Sequence, residues 1–213
     1  MKLLLLAGIL MAATVSAQPQ QKDFTSSELK NSKYQLLRRL HDFGRKERML
    51  NIPAYDGRLL QMLVRMTDAK NILEIGTSNG VSTIWMGLVL KDTGGHITTL
   101  EIDPKKVELA GKNFTEAGVA EVITIMEGDA LKALPKLTGS FDLVFIDAAK
   151  EQYKDYLDAI YDKIPSGGVI VAHNAVRQAR SMQNYLDHVQ DHPSLDTVVL
   201  QTGNDGMALS YKR

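Results

Sequence analysis

The sequence predicts a doubly wound α/β fold: a seven-stranded, mostly parallel sheet that ends in an antiparallel hairpin, with helices on both faces. Three observations carry that expectation. From Asn71 onward, short apolar runs alternate with helical segments, the order that builds βαβ units. Two of the runs, LVFI at 143–146 and VIVA at 169–172, are apolar at every position, as strands covered on both faces must be. Two strand-like segments near the end, 196–200 and 207–211, flank the turn-forming residues Gly203, Asn204, Asp205 and Gly206, and so short a connection makes them antiparallel.

The elements follow in order. Lys2, an apolar run over 3–15 and the small residues Val15-Ser16-Ala17 predict a secretory signal over 1–17, cleaved before Gln18. The protein is then exported, with no stable membrane span after cleavage. The alternatives are an uncleaved anchor, for which the run is short, or a cytoplasmic protein. Residues 18–25 are polar and contain Pro19, which predicts a flexible leader. The remaining residues, 26–213, form one domain. Leu29, Leu36, Leu37 and Leu40 recur at helical spacing, and Pro53 opens a second helix whose stripe is Leu59, Leu60, Leu63 and Val64. Strands are expected at 72–75, 97–100, 122–126, 143–146 and 169–172. The intervening helices are expected around 82–90, 105–117, 130–134 and 153–163, with another near 178–189.

Composition narrows the function. Lys plus Arg and Asp plus Glu are 25 each among 213 residues, so no net field draws the chain to nucleic acid, and a small-molecule partner fits better. There is no cysteine, which excludes thiolate nucleophiles and cysteine-held metal centres. Chemistry must come from oxygen and nitrogen groups.

In a parallel sheet those groups belong at the carboxyl ends of the strands. The first strand runs into Glu74-Ile75-Gly76-Thr77-Ser78-Asn79-Gly80, with Ser82 opening the next helix. Glycines let a backbone approach a ligand closely, and a helix amino end presents free N–H groups to an anion. The G-x-x-x-G spacing lacks the third glycine of a dinucleotide fingerprint. Glu101 ends the second strand, where a carboxylate can accept both hydroxyls of a ribose; either Glu74 or Glu101 alone could equally be a structural carboxylate. Gly128-Asp129-Ala130 ends the third strand, and Asp129 suits a helix cap there. Asp147 and Lys150 follow the fourth strand, and His173 and Asn174 the fifth, so neighbouring strands aim four polar groups at one place.

Those motifs in that order, EIGT-x-x-G with Ser82, EID, EGDA, FDLVFIDA-x-K and P-x-GG-x-I, resemble the cation-dependent catechol and caffeoyl-CoA O-methyltransferases, a class I family of Rossmann-like fold that uses S-adenosylmethionine. The similarity runs from about Met49 to the carboxyl terminus. It implies transfer of a methyl group to a hydroxyl of a small phenolic or catechol-like acceptor, and a possible homodimer. It also implies that Glu74, Gly76, Thr77, Gly80 and Ser82 hold the methionine part of the cofactor. Glu101 would hold the ribose, Ile102, Asp129 and Ala130 would flank the adenine, and Asp147 would lie beneath the sulfonium. Lys150 would be the general base, its proton made labile by neighbouring positive charge.

In the family pattern two aspartates and an asparagine bind a magnesium-like ion. Here the corresponding positions are Asp147, His173 and Asn174, and imidazole suits softer ions than magnesium. His173 is then a metal ligand, a metal-free base or a structural group. Two other functions compete: a protein that keeps the fold and binds S-adenosylmethionine without turnover, and a nicotinamide-dependent oxidoreductase, which the missing glycine disfavours.

Overall fold

The structure is a computed structural model that describes residues 22–213. The expected signal, residues 1–17, and residues 18–21 of the leader lie outside the described residues. The rest of the expected leader is docked rather than flexible. Phe24 stacks on Trp85 with ring centroids 6.0 Å apart, and Arg58 donates to the Asp23 carbonyl at 3.0 Å. Thr25 and Glu28 cap each other: the Thr25 N–H donates to Glu28 Oε2 at 2.7 Å and the Glu28 N–H to Thr25 Oγ1 at 3.2 Å, the reciprocal pairing of a capping box. One aromatic anchor and one cap outweigh a polar composition.

The first helix, α1 (Ser32–Lys46), begins later than its leucine spacing suggests, because Asn31 accepts from the Lys33 N–H and caps it. A 3-10 turn over Glu28–Lys30 carries Leu29 instead. Pro53 precedes α2 (Ala54–Met66). Then follow β1 (Asn71–Ile75), α3 (Val81–Thr93), β2 (His96–Glu101), α4 (Pro104–Ala117), β3 (Ile123–Glu127), α5 (Ala130–Ala133), β4 (Leu143–Ile146), α6 (Tyr153–Ile160), β5 (Val169–His173), α7 (Gln183–Asp191), β6 (Leu195–Leu200) and β7 (Met207–Lys212). The last helix is shorter than expected, its first turn being a 3-10 turn over Ala179–Met182.

The seven strands form one sheet in the order β3-β2-β1-β4-β5-β7-β6. All pairings are parallel except those of β7, which is antiparallel to β5 and to β6. Strand order reverses between β1 and β4, so the crevice for a ligand opens at their carboxyl ends. Alternate residues of the central strands feed two cores: Ile72, Phe145 and Val171 pack with α1 to α4, while Leu73, Val144, Ile146 and Ile170 pack with α6 and α7. This two-sided burial is why β4 and β5 read as unbroken apolar runs. Among the described residues no helix is long and apolar enough to cross a membrane.

One helix crossing bears directly on the site. A Cβ on Gly57 would lie 2.3 Å from Trp85 Cδ1 and Nε1, and Trp85 is fully buried. Only glycine lets α2 lie this close to α3. Gly57→Ala is expected to destabilise the protein by roughly 1–3 kcal/mol through overpacking; a denaturant midpoint equal to wild type would contradict that reading.

Candidate functional site

The loop after β1 is built around Gly76. Its φ is +102°, and a Cβ there would sit 2.2 Å from the Asp147 carbonyl oxygen, so both conformation and contact require glycine. The same contact ties the β1 loop to the end of β4. Ser78 is also left-handed, with φ +50°, and its N–H donates to Glu101 Oε2 at 2.7 Å, while the Asp103 N–H donates to Oε1 at 3.0 Å. Glu101 is thereby fixed at the tip of β2, and each carboxylate oxygen keeps acceptor capacity for a ligand hydroxyl. Beside it Ile102 is 70% exposed, and a Cβ on Gly128 would meet nothing within 4 Å. An acidic tip next to an apolar shelf with open space fits an adenosine group. Asp129 caps α5, accepting from the Leu131 N–H at 2.9 Å, and Ala130 follows it.

The side chains of Glu74, Thr77 and Ser82 face inward. Glu74 is fully buried. Its Oε1 accepts from Ser82 Oγ at 2.5 Å, and its Oε2 from Thr99 Oγ1 at 2.6 Å and from the Thr83 hydroxyl. Thr77 Oγ1 lies 2.6 Å from Thr99 Oγ1. Burial pushes the Glu74 carboxyl up to about 7 against the lowering effect of the three hydroxyls. These groups brace the loop, whose backbone is left to meet the ligand. Asn79 and Gly80 complete it. The Asn79 amide is buried with neither side-chain atom hydrogen-bonded, an unsatisfied group in the loop expected to receive a polar ligand.

Asp147, Lys150 and His173 come together at the strand ends, joined by Asp56 and Tyr153. Lys150 Nζ donates to Asp147 Oδ1 at 2.8 Å, to Tyr153 Oη at 2.7 Å and to the Ala148 carbonyl at 3.1 Å. These three acceptors hold the Lys150 head group in place at the end of β4. Asp147 Oδ2 lies 3.2 Å from His173 Nδ1, and His173 Nε2 lies 3.0 Å from Asp56 Oδ2. Asp56 comes from the first turn of α2 and is wholly buried. Asn174 follows with φ +65°, a left-handed turn that asparagine tolerates.

The charges in this string hold one another. Burial alone would lower the His173 imidazole; the carboxylates of Asp147 and then Asp56 outweigh it and raise the pKa to about 9. Burial alone would raise Asp147; His173 and then Lys150 pull it down to about 2. The side chains of Lys150 and Asp147 are 11% and 15% exposed, whereas those of His173 and Asp56 are 4% and 0% exposed. A ligand in the crevice therefore meets Lys150 and Asp147, with His173 and Asp56 behind them.

This geometry does not fit the expected metal set of Asp147, His173 and Asn174. Both nitrogens of His173 face carboxylate oxygens, so no lone pair is turned outward to an ion. The ring also stands between Asp56 and Asp147 and keeps the two carboxylates apart. Among the described residues no group of three or more His, Asp or Glu side chains is arranged to hold a metal.

Asp56 and Tyr153 escaped the sequence reading. Asp56 did leave a signal: it lies four and eight residues before Leu60 and Val64, which places a carboxylate on the buried stripe of α2. Tyr153 left none: Lys150 lies only three residues earlier, but the spacing does not say that the phenol turns to it, and its other neighbour Tyr185 is distant in the chain.

Sheet order and strand-end site together define a class I, S-adenosylmethionine-dependent methyltransferase. A family model described as O-methyltransferase matches residues 24–211. The catechol O-methyltransferase of Mycobacterium tuberculosis is 37% identical over 180 residues, covering 76% of this chain and 80% of the relative. The solved O-methyltransferase TomG of Streptomyces achromogenes, in complex with SAM, superposes with TM-score 0.75 at 29% identity over 83% of this chain and 89% of its own. The O-methyltransferase of Bacillus cereus, in complex with SAH, gives 0.77 at 27% identity over 84% and 91%. The chain belongs to the O-methyltransferase family, which sets the nicotinamide alternative aside.

Proposed function

We propose that the protein transfers the methyl group of S-adenosylmethionine to a hydroxyl of a small phenolic or catechol-like acceptor, with Lys150 and Asp147 at the reacting oxygen. The observation that carries this reading is the junction of the two half-sites: the Gly76 loop packs on the Asp147 backbone, so a ligand seated on Glu101 and the loop is brought to the Lys150–Asp147 pair. When bound, S-adenosylmethionine supplies an electrophilic methyl on a sulfonium.

The residues supply alignment and charge. Glu101 accepts the ribose hydroxyls, and the backbone around Gly76 to Gly80 receives the methionine part. The Lys150 ammonium, held in place by Asp147 and Tyr153, stabilises an acceptor oxyanion, which favours loss of the phenolic proton to water as the acceptor enters. The oxyanion's electron pair then forms the oxygen–carbon bond as the carbon–sulfur bond breaks, its electrons returning to sulfur. Alignment of the two reactants accounts for most of the acceleration in such a displacement.

A cleft of about 680 Å³ beside the amino end of α2, with Phe24, Met49, Tyr55 and Arg177 in its wall, has the size of a small-molecule site, but none of Glu101, Asp147 and Lys150 lines it, so it does not locate the acceptor. The test is incubation with methyl-labelled S-adenosylmethionine and a panel of catechols, monophenols and carboxylates. An O-methylated phenol is expected; cofactor binding with no product from any acceptor would favour the binding-only alternative. Glu101→Ala is expected to weaken cofactor affinity about 10²- to 10⁴-fold, the loss of two hydrogen bonds to a charged group. Unchanged calorimetric affinity would remove Glu101 from the site.

A further inference from the structure

Asp56, His173, Asp147 and Lys150 form an alternating string of acid and base side chains that runs from a fully buried helix turn to the mouth of the crevice. Its first three members come from elements far apart in sequence, α2, β5 and the end of β4. The string is also incomplete at its inner end: Asp56 Oδ1 is buried without a hydrogen-bond partner, and His173 Nδ1, although 3.2 Å from Asp147 Oδ2, is not aligned for a hydrogen bond. A buried unpaired carboxylate is costly, and neither Asp56 nor Asp147 has another basic side chain than those of the string in contact with it. The packing that brings Asp56 here depends on Gly57, which lets α2 approach Trp85.

We propose that His173, clasped between Asp56 and Asp147, is a built-in cation that takes the place of a divalent ion, and that Asp56 is a positioning residue for methyl transfer. Asp56 holds the ring, the ring holds Asp147 from behind, and Asp147 sets the Lys150 ammonium at the acceptor oxygen. Turnover is accordingly independent of divalent ions. The inference rests on the methyl-transfer reading for what Lys150 does, but not for what occupies the space between the carboxylates.

Two measurements on the whole chain test it. The first is calorimetric titration of metal-free protein with magnesium and with manganese. Wild type is expected to take up neither, while His173→Asp, which replaces the ring with hard oxygen donors beside Asp147, is expected to gain uptake of one ion. Stoichiometric uptake by wild type that vanishes in Asp147→Asn would overturn the proposal, as would no uptake by His173→Asp. The second is the Asp56→Asn variant, which keeps the shape and removes the charge. The expected result is a kcat about 10- to 100-fold lower, with S-adenosylmethionine affinity and acceptor KM unchanged and with loss of one of the two His173 ring N–H signals in the proton NMR spectrum. Wild-type kcat with both ring signals intact would overturn it. If no acceptor is methylated at all, the methyl-transfer reading fails, while ion uptake and the ring signals still decide the clasp.

Discussion

Asp147→Ala is expected to lower kcat by about 10²- to 10³-fold, the usual consequence of removing a group that fixes charge at the developing bond. Asp147 is the one side chain that touches both cations of the string, Lys150 at 2.8 Å and His173 at 3.2 Å. Without it Lys150 keeps only Tyr153 and the Ala148 carbonyl and loses its direction. The same change should cost roughly 3–5 kcal/mol of stability, because a buried charge is left with half its compensation. Asp147→Asn separates the two effects: it should retain more stability than the alanine variant while remaining nearly as inactive. A steady-state assay showing more than half of wild-type kcat in either variant would remove Asp147 from the reaction.

Stability should fall as pH rises through neutrality, in two steps with identifiable owners. His173 has its pKa raised in the folded state from 6.5 to about 9. The native protein therefore binds the extra proton more tightly than the unfolded chain, and the stabilisation is complete below pH 6.5 and lost as pH climbs to about 9. Glu74 is raised from 4.5 to about 7, so its contribution is complete below 4.5 and lost by about 7. Each step is worth roughly 3 kcal/mol at about 1.4 kcal/mol per pH unit. At the acid end Asp147, lowered from 3.8 to about 2, acts in the opposite sense: its stabilisation is present above 3.8 and lost as pH falls to about 2. Urea denaturation across this range checks the account. His173→Gln should flatten the upper step and Glu74→Gln the lower one, and a wild-type curve flat between them would contradict both assignments.

The sequence was most informative where burial leaves a periodic trace. The strands β4 and β5 carry no polar residue before their tips because both faces are covered, and the tight turn before β7 could only reverse the chain. The positions of Asp147, Lys150, His173 and Asn174 followed from strand ends alone, since a parallel sheet delivers all its carboxyl ends to one edge. What each side chain does there was less legible, because it depends on partners distant in the chain. Nothing in the residues around His173 announces that Asp56, over a hundred positions earlier, would occupy its second nitrogen and deny it to a metal. The direction of the Glu74 side chain was likewise hidden: an acid in a ligand loop suggests contact, and Ser82, Thr83 and Thr99 turn it inward. The N-terminal turn was misread because Phe24 is a single apolar residue among polar ones.

A crystal structure with S-adenosylhomocysteine and a catechol, grown in the presence of magnesium, measures the central claim most directly. It should show the ribose hydroxyls on Glu101, the sulfur and the nearer catechol oxygen over the Lys150–Asp147 pair, and the His173 ring still between Asp56 and Asp147. An ion ligated by Asp147 and Asn174 with His173 swung aside, or a cofactor seated away from the Gly76 loop, would contradict it.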